Sequence, residues 1–479
     1  MLFRSIKTYL LVGRHISTRV TLEKSVQAGA GVTVARSTRG RDTLGRRLLS
    51  LVYTKRSAVI TLNKWKEEGR TARKYELNRV VRELREFKRY KHALEICEWM
   101  TSQHDIKLMP GDYAVHLDLI AKVRGLNCAE KFFEDLPDRM IGEPTCNALL
   151  HVYVQNNMTD KAEALMVKMS ECGLLRNPLP YNHMLSLYIS NGKLGKVPEI
   201  IQELKKNTTP DVVTFNLWLT VCALQNDIET AERVFLELKK AKIDPDWVTY
   251  SSLTNLYIKS ASPEKAASTL KEMENRTSRK TRAAYSSLLS LHTNIGNRDE
   301  VNRIWKKMKA CYRQMNDAEY TCMISSLVKL SDFAEAENVY REWESVSRTH
   351  DVRVSNIVLA SYINRGQMEM AETFYNQIVQ KGINPCYTTF ELFVWGYLRK
   401  KDVEKVLDYF NKALASVKKW NPDGTLVREV FKILEEQAHI EGAEQLLIKL
   451  RNVGYVNTQI YNLLLKTYAK AGRMPPIIA

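Results

Sequence analysis

Residues 212–246 read VVTFNLWLTVCALQNDIETAERVFLELKKAKIDPD, and this stretch decides the fold. Apolar residues recur in its opening half, and again in its closing half, at the spacing of an amphipathic helix. Asn226-Asp227 separates the halves and is turn-prone. The stretch therefore predicts two antiparallel helices joined by a short turn.

The same pattern returns along the chain with a period of about 35 residues. Small residues that align in it are separated by 69, 35, 70 and 35 positions, one or two periods each time. A small residue lets the second helix cross close to the first, and tyrosines and methionines would fill the space between neighbouring pairs. One pair cannot bury both faces, so the pairs are expected to stack. The aligned residues are Ala162, Ala231, Ala266, Ala336 and Ala371, with Tyr153, Tyr188, Tyr257, Tyr362, Tyr397, Tyr468, Met169, Met273 and Met308 between the pairs.

Composition agrees with a helical protein. The 479 residues are 44% hydrophobic and 26% charged, which excludes collagen-like, low-complexity and wholly disordered chains. Twenty glycines and thirteen prolines are too few for a loop-rich all-β protein. No apolar run reaches the roughly 18 to 20 residues of a membrane-spanning helix, so no membrane partner is expected.

Motifs of known enzymes are absent from the sequence. It holds no phosphate-binding loop, no HExxH and no nucleophile motif. His439-Ile440-Glu441 matches the H-x-E of zinc deaminases, but no P-C-x-x-C follows. The eight cysteines form no CxxC pair, and we expect reduced, mainly buried thiols rather than disulfides or a zinc site. We therefore predict no catalytic residue, metal site, cofactor or small-molecule substrate.

The first 60 residues have the composition of an organellar targeting segment. They hold twelve basic and two acidic residues, and the opening MLFRSIKTYLLVGRHISTRV mixes apolar with basic and hydroxylated side chains. A secretory signal would need a longer apolar core, and a basic RNA-binding tail would not need Leu10, Leu11 and Val12. We predict a mitochondrial transit peptide and basic disordered leader over 1–60, cleaved after Ile16 or further on. A matrix location follows, with the plastid as the less favoured alternative.

The net charge of +18 is concentrated near the N-terminus. Residues 1–60 hold +10 and residues 61–91 another +6, which leaves +2 for residues 92–479. Binding of a polyanion by the repeats therefore cannot depend on bulk charge. The segment from Arg70 to Lys91 is the best remaining candidate for a phosphate contact.

The repeat resembles the pentatricopeptide repeat family, of the kind with pure 35-residue units found mostly in plant mitochondria and plastids. The tetratricopeptide repeat is the nearest rival, but its W-x2-L-G-x2-Y opening is missing. The resemblance covers about four fifths of the chain and implies a right-handed α-solenoid (superhelix) of about eleven helix-turn-helix repeats. Its implied parts are basic helices and a divergent repeat over 61–111, the array over 112–457 and a half repeat over 458–479. The strings that carry it are Val213-Thr214-Phe215-Asn216, Ile243-Asp244-Pro245-Asp246, Val248-Thr249-Tyr250-Ser251 and Lys381-Gly382-Ile383-Asn384-Pro385.

Base-reading residues follow from the resemblance, position by position. In the family the fifth residue of a repeat meets a base of single-stranded RNA and the last residue supports it. The implied readers are Asn147 with Asn177 for a pyrimidine, Asn182 with Asp211 and Asn216 with Asp246 for uracil, Ser286 with Asn316 for adenine, and Thr321 with Asp351 for guanine. The implied base-sandwiching residues are Val213 and Val248, and the phosphate contacts are Lys259, Lys329, Arg399 and Lys470. An alternative function for an asparagine here is a hydrogen bond to a helix N-terminus.

Two functions are consistent with these features. The first is an adaptor that binds single-stranded organellar RNA in RNA metabolism or translation. The second is a structural component of the plant mitochondrial ribosome, with rRNA and ribosomal proteins as partners. A protein-binding helical-repeat scaffold remains a further alternative, because the asparagine pairs are interrupted along the array.

Overall fold

The computed structural model describes residues 42–51, 57–278, 281–347, 349–417 and 424–474. The processing site predicted after Ile16 and most of the predicted transit peptide lie outside these residues. Within the described ranges the regular structure is entirely helical, with no β-strand. The predicted all-α fold class is therefore confirmed.

The chain divides into two compact units, residues 1–260 and 261–479. The described part of the first unit also includes two short 3-10 helices, Asp138–Met140 and Leu194–Lys196. Its α-helices are α1 (Leu44–Leu49), α2 (Ala58–Glu67), α3 (Lys74–Glu86), α4 (Tyr90–Ser102), α5 (Pro110–Arg124), α6 (Leu126–Glu134), α7 (Glu143–Gln155), α8 (Thr159–Glu171), α9 (Leu179–Ser190), α10 (Val197–Asn207), α11 (Val212–Gln225), α12 (Ile228–Lys240) and α13 (Trp247–Lys259).

The second unit continues the same alternation of helices. Its α-helices within the described residues are α14 (Pro263–Arg276), α15 (Arg282–Ile295), α16 (Arg298–Cys311), α17 (Asp317–Lys329), α18 (Phe333–Val346), α19 (Val352–Asn364), α20 (Met368–Gln380), α21 (Tyr387–Lys400), α22 (Val403–Ala415), α23 (Gly424–Glu436), α24 (Ile440–Asn452) and α25 (Thr458–Lys470).

Helices pair in the way that the period predicts. In each unit the first helix of a repeat packs against the second helix of that repeat, as α11 does with α12 and α21 with α22. It also packs against the first helix of the next repeat, as α5 does with α7 and α17 with α19. The first helices therefore form a continuous row within each unit, and residues at matching positions of that row lie in adjacent repeats.

Short polar residues set the helix ends. The Asp211 carboxylate caps α11 by accepting a hydrogen bond from the backbone N–H of Thr214 at 2.9 Å. Asn226 ends the same helix in the left-handed conformation, with φ of 58°, and Asp227 caps α12. The turn that the sequence predicts at Asn226-Asp227 is therefore confirmed.

The predicted small residues form the close contacts between helices. All five aligned alanines lie in second helices and are buried, and the three methionines are buried as well. Each tyrosine of the series Tyr188, Tyr257 and Tyr362 donates its phenolic hydrogen to a glutamate on the second helix of the preceding repeat, at 2.9, 3.3 and 2.7 Å. The acceptors are Glu163, Glu232 and Glu337, each directly after an aligned alanine. The tyrosines therefore link adjacent repeats by a half-buried hydrogen bond as well as by packing.

The cysteines are free thiols, as predicted, but they are less buried than predicted. Cys97, Cys146 and Cys222 are buried, whereas Cys128 and Cys172 are exposed and the remaining three are half-buried. The expectation of mainly buried thiols was wrong because Cys128 and Cys172 lie on outward faces of second helices or at their ends, where packing requires no apolar residue.

Candidate functional site

The best-formed polar cluster joins the repeat that contains α9 to the one that begins with α11. Asn182 lies in α9, and its amide nitrogen donates to the Asp211 carboxylate at 3.0 Å. The Thr214 hydroxyl donates to the amide oxygen of Asn182 at 2.8 Å. Because both ends of the amide are held, its nitrogen and oxygen are fixed in orientation. The structure thus brings together the predicted pair Asn182 and Asp211.

The next junction repeats this cluster almost unchanged. The amide nitrogen of Asn216 donates to Asp246 at 3.0 Å, and the Thr249 hydroxyl donates to the amide oxygen of Asn216 at 2.7 Å. Asp246 also accepts the backbone N–H of Val248 and of Thr249, so it caps α13 while holding Asn216. The two clusters therefore place identical groups in adjacent repeats.

Each cluster leaves part of the amide unused. An asparagine side chain offers two hydrogens and two lone pairs. The aspartate takes one hydrogen and the threonine occupies one lone pair, so one hydrogen and one lone pair of each amide remain. Asn182 and Asn216 bond to the following repeat and not to the N-terminus of their own helix. The helix-capping alternative therefore does not describe these two asparagines.

A third cluster has a thiol in place of the carboxylate. Asn356 donates to the Cys386 sulfur at 3.6 Å, and the Thr389 hydroxyl donates to the amide oxygen of Asn356 at 2.9 Å. Hydrogen bonds from Thr389 and from backbone N–H groups outweigh burial and lower the pKa of the Cys386 thiol. Asn356 is therefore held in the same way as Asn182 and Asn216, but the Cys386 sulfur is a weaker hydrogen-bond acceptor than a carboxylate.

The predicted pair Asn147 and Asn177 is not joined by a hydrogen bond. The Asn177 amide nitrogen donates to Glu143, and its oxygen accepts the backbone N–H of Leu179 at 2.9 Å, so Asn177 serves the start of α9. The residue that matches Thr214 is Pro180, which has no hydroxyl. The amide oxygen of Asn147 is consequently buried without a partner.

An ion pair occupies the junction between Ser286 and Asn316. Glu319, 2% exposed, takes the position of the threonine and accepts two hydrogen bonds from the Arg282 guanidinium, at 2.7 and 2.8 Å. Asn316 caps α17 through the backbone N–H of Glu319 at 3.0 Å. The Ser286 hydroxyl bonds within its own helix, to the Arg282 carbonyl at 3.5 Å. No hydrogen bond joins Ser286 to Asn316 in the described structure.

The predicted pair Thr321 and Asp351 is also engaged elsewhere. The Thr321 hydroxyl donates to the Asp317 carbonyl at 2.7 Å within α17. Asp351 accepts the backbone N–H and the Nε of Arg353, each at 2.9 Å. These contacts lower the pKa of Asp351, with the Arg353 side chain as the largest cause. Only two of the five predicted pairs are therefore hydrogen-bonded to each other.

The residues predicted to sandwich bases, and those predicted to contact phosphates, occupy matching positions in the first helices. Val213 is half-buried and Val248 is buried, both in the first turn of a first helix. The four predicted phosphate contacts are exposed and lie in the last turn of first helices, where the helix dipole also favours a cation. They are Lys259, Lys329, Arg399 and Lys470.

Family models match the chain at several repeats. A model described as PPR repeat matches residues 144–174, 248–277, 320–346 and 354–383. A PPR repeat family model matches 210–259, and a pentatricopeptide repeat domain model matches 165–222. A mitochondrial pentatricopeptide repeat-containing protein of Arabidopsis thaliana is 62% identical over 439 residues, covering 92% of this chain and 82% of that protein. The chain belongs to the pentatricopeptide repeat family.

One further relative and one solved structure are also similar to the chain. A second mitochondrial pentatricopeptide repeat-containing protein of Arabidopsis thaliana is 38% identical over 257 residues, covering 53% of this chain and 63% of the relative. The crystal structure of the pentatricopeptide repeat protein PPR10 from maize aligns at 21% identity with a TM-score of 0.38, over 90% of this chain and 62% of PPR10. The predicted mitochondrial location is confirmed by the relatives.

Two features of this pentatricopeptide repeat protein were missed by the sequence prediction. The first is the bonding of Thr214 and Thr249 to asparagine, since a threonine at this place also fits a capping box. The second is Asn78 in α3, whose amide nitrogen donates to Asp112 at 2.9 Å. Asn78 is the fifth residue of the repeat that starts at Lys74, and this spacing could have identified it.

The H-x-E string that begins at His439 lies at the start of α24. His439 caps α24, with its Nδ1 accepting the backbone N–H of Gly442 at 3.0 Å, which gives the H-x-E string a structural function. No group of three or more His, Cys, Asp or Glu side chains that could hold a metal occurs in the described ranges. No helix in the same ranges is long and apolar enough to cross a bilayer.

Proposed function

We propose that this protein binds single-stranded RNA in mitochondria, one nucleotide per repeat, and acts in RNA metabolism or translation without catalysing a reaction. The observation that carries the proposal is the pair of matching clusters around Asn182 and Asn216. Two adjacent repeats present the same oriented amide at the same position of their first helices. Regularly spaced, identical polar groups are suited to a polymer of regularly spaced bases.

The clusters are complementary to uracil, the base that the family resemblance implies for them. The fixed amide offers one donor and one acceptor, and the edge of uracil offers the complementary N3–H donor and O4 acceptor. The aspartate accepts one hydrogen of the amide nitrogen. Because the amide group is planar, this bond also fixes the direction of the second hydrogen. Val213 and Val248 are the residues that we assign to stacking beside these two bases.

The other predicted readers are proposed with fewer contacts in support. Asn147 with Asn177 would select a pyrimidine, Ser286 with Asn316 adenine and Thr321 with Asp351 guanine. Exposed cations at the ends of first helices would contact phosphates. These are Lys259, Lys329, Arg399 and Lys470. The resulting preference, in the parallel sense, is 5′-Y-U-U-N-A-G.

In vitro selection from a random RNA pool tests the proposal. The full chain should enrich RNAs with two adjacent uridines, and Asn182→Ala with Asn216→Ala should abolish that enrichment. Asn338→Ala is the matched control, because Asn338 is exposed on the second helix α18 and bonds only to neighbours in that helix. Selection without any base preference, or selection unchanged in the double variant, would refute the proposal.

Crosslinking of the tagged protein in mitochondria then identifies the step that it serves. A short site in one or a few transcripts would support the adaptor function. Crosslinks to ribosomal RNA, with co-sedimentation at high salt, would instead indicate a ribosomal component. Recovery of protein partners without RNA would favour the scaffold alternative and would contradict the proposed function.

A further inference from the structure

We propose that the outward face of α14 and α16 binds the phosphate backbone of double-helical RNA, through Lys271, Lys306 and Arg313. The face belongs to second helices, whereas the proposed base readers lie in first helices. A protein with both sites would hold a base-paired element and a single strand of RNA at once. The inference goes beyond the proposed function and does not depend on it.

Positive charge is concentrated in this part of the chain. Residues 261–313 hold twelve basic and five acidic residues, a net charge of +7. Residues 92–479 as a whole hold only +2, so the remainder of that range is net negative. A local surplus of this size attracts a polyanion even though the repeats are nearly neutral overall.

Three cations of the face are free to contact a ligand. Lys271 lies in α14, and Lys306 lies one repeat later in α16, 35 residues along the chain. Arg313 follows the end of α16. All three side chains are exposed, and none makes a hydrogen bond, an ion pair or a ring contact with the described residues. Their full charge is therefore available to phosphate groups.

Ion pairs between α14 and α16 place these cations on adjacent helices. Glu274 of α14 binds Arg303 of α16 at 2.6 Å and Lys307 at 2.7 Å, so one carboxylate serves two cations. Lys271 lies one turn before Glu274 on α14, and Lys306 directly precedes Lys307. Because packed helices are about 8–10 Å apart, the two free lysines flank the ion pairs on neighbouring ridges of the surface.

The acidic residues of the face do not cancel its charge. Helix α16 carries five basic and two acidic residues, and α14 carries three of each. Two of the basic residues, Arg298 and Lys309, pair with Asp332 and Glu342 of α18. The free cations are additional to all of these pairs, so the surplus remains at the exposed surface.

The chemistry of the face favours a double helix over other polyanions. No large apolar side chain of α14 or α16 is exposed, whereas protein interfaces and membrane-bound helices have apolar centres. Single strands stack on exposed aromatic rings, but Trp305, the one aromatic residue of the two helices, is buried. Double-helical RNA is recognised chiefly through phosphates and 2′-hydroxyls, which a surface of lysine and arginine can contact.

Salt-dependent binding of a labelled, blunt RNA duplex of about 16 base pairs to the full chain tests the proposal. One variant combines Lys271→Gln, Lys306→Gln and Arg313→Gln, which removes three charges and keeps polar side chains. The slope of log K against log salt should fall by about 2.7, with about 0.9 for each of three phosphates. The affinity should fall on the order of a hundredfold at about 0.1 M salt, as that slope implies.

A second variant with the same change of charge is the matched control. Lys206, Lys240 and Lys242 are exposed, make no side-chain contact with the described residues, and lie in or directly after α10 and α12. Residues 201–246 hold six basic and eight acidic residues, so the local charge there is −2. Glutamine at all three positions should therefore change the duplex affinity far less. An equal loss in the control would show attraction by the overall charge, and the assignment to α14 and α16 would be wrong.

Other partners would give different results. Polyglutamate or phosphatidylglycerol vesicles that compete as strongly as unlabelled duplex, at equal charge concentration, would identify a protein or a membrane site and overturn the assignment. A folded wild type that binds no duplex would overturn it as well. Urea midpoints equal to that of the wild type are expected for both variants, because the replaced side chains make no contacts.

The outcomes separate this inference from the proposed function. The variant of α14 and α16 should still select adjacent uridines, and Asn182→Ala with Asn216→Ala should still bind the duplex. A wild type that selects uridines but binds no duplex would refute only this inference. A wild type that binds the duplex but selects no uridine would refute only the proposed function.

Discussion

Thr249 donates its hydroxyl hydrogen to the amide oxygen of Asn216 across a repeat boundary, at 2.7 Å, and both side chains are buried. Thr214 makes the same contact with Asn182. At Asn147 the corresponding residue is Pro180, and the amide oxygen of Asn147 is buried without a partner. The chain thus contains the same asparagine with and without this hydrogen bond.

Replacing Thr249 with valine keeps the shape of the side chain and removes the hydroxyl. Because the buried oxygen of Asn216 then has no donor, we expect a loss of about 1–3 kcal/mol in local stability. The preference for uracil at this repeat should weaken as well, since the amide is free to rotate. Hydrogen exchange of α11 and α13 measures the first effect and RNA selection the second.

Asn147→Ala provides the comparison for that variant. This variant removes an amide whose oxygen is already unsatisfied, so it should cost less stability than Asn216→Ala, which removes the hydrogen bonds of Thr249 and Asp246 to the amide. Equal losses of folding stability in the two alanine variants would contradict the contribution that we assign to the hydrogen bond between Thr249 and Asn216.

The ion pair between the buried Glu319 and the partly exposed Arg282 gives a second prediction. Arg282→Ala removes the counter-charge of the buried Glu319 carboxylate, which keeps the backbone N–H of Asn316 as a donor, and we expect a loss of about 1.5–3 kcal/mol. Arg341→Ala should cost less than about 1 kcal/mol, because the pair of Arg341 with Glu337 is exposed and its closest N–O distance is 3.5 Å. Urea unfolding of both variants makes the comparison. Adding Glu319→Gln to Arg282→Ala should recover part of the loss, and no recovery would contradict this account.

The periodicity of the sequence determines how much could be predicted. Helix pairs and the buried alanines follow from positions fixed within a 35-residue unit, and the pairing of Asn182 with Asp211 follows from the family resemblance. The bond between Arg282 and Glu319 does not, because it needs two charges, 37 residues apart, that replace the usual residues at their positions. The engagement of Asp351 by Arg353 is likewise a local contact, which a repeat alignment does not contain.

The linking tyrosines predict loss of stability at alkaline pH. Burial is the largest cause, and the hydrogen bond to Glu337 the next, that raises the pKa of Tyr362 to about 12. Burial and the nearby Glu232 carboxylate raise the pKa of Tyr257 to about 12 as well. The unfolded chain loses these protons near pH 10. The stabilisation is therefore complete below pH 10 and is lost as the pH rises toward 12. Ultraviolet absorbance of the phenolate should show these groups titrating late, and Tyr362→Phe should reduce the alkaline loss. A titration near pH 10 in the folded protein would contradict these tyrosine–glutamate hydrogen bonds.

Buried histidines predict a separate loss of stability at mildly acidic pH. Burial, with a smaller effect of Arg124, lowers the pKa of His116 to about 4, and burial beside His151 lowers the pKa of His183 to about 3. The unfolded chain gains protons at these residues below about pH 6.5, whereas the folded chain does not. The stabilisation is therefore present above pH 6.5 and falls steadily below it, before most carboxylates titrate.

Urea midpoints measured between pH 6.5 and 5 test this expectation. His116→Phe keeps a flat ring against Phe132, whose centroid lies 4.6 Å from that of His116, and removes the titrating group. The variant should therefore show a smaller decline with falling pH than the wild type. His104→Phe changes an exposed histidine of the same unit and should leave the decline unchanged. A wild-type midpoint that stays constant over this range would show that the two histidines are protonated without cost, which their burial does not allow.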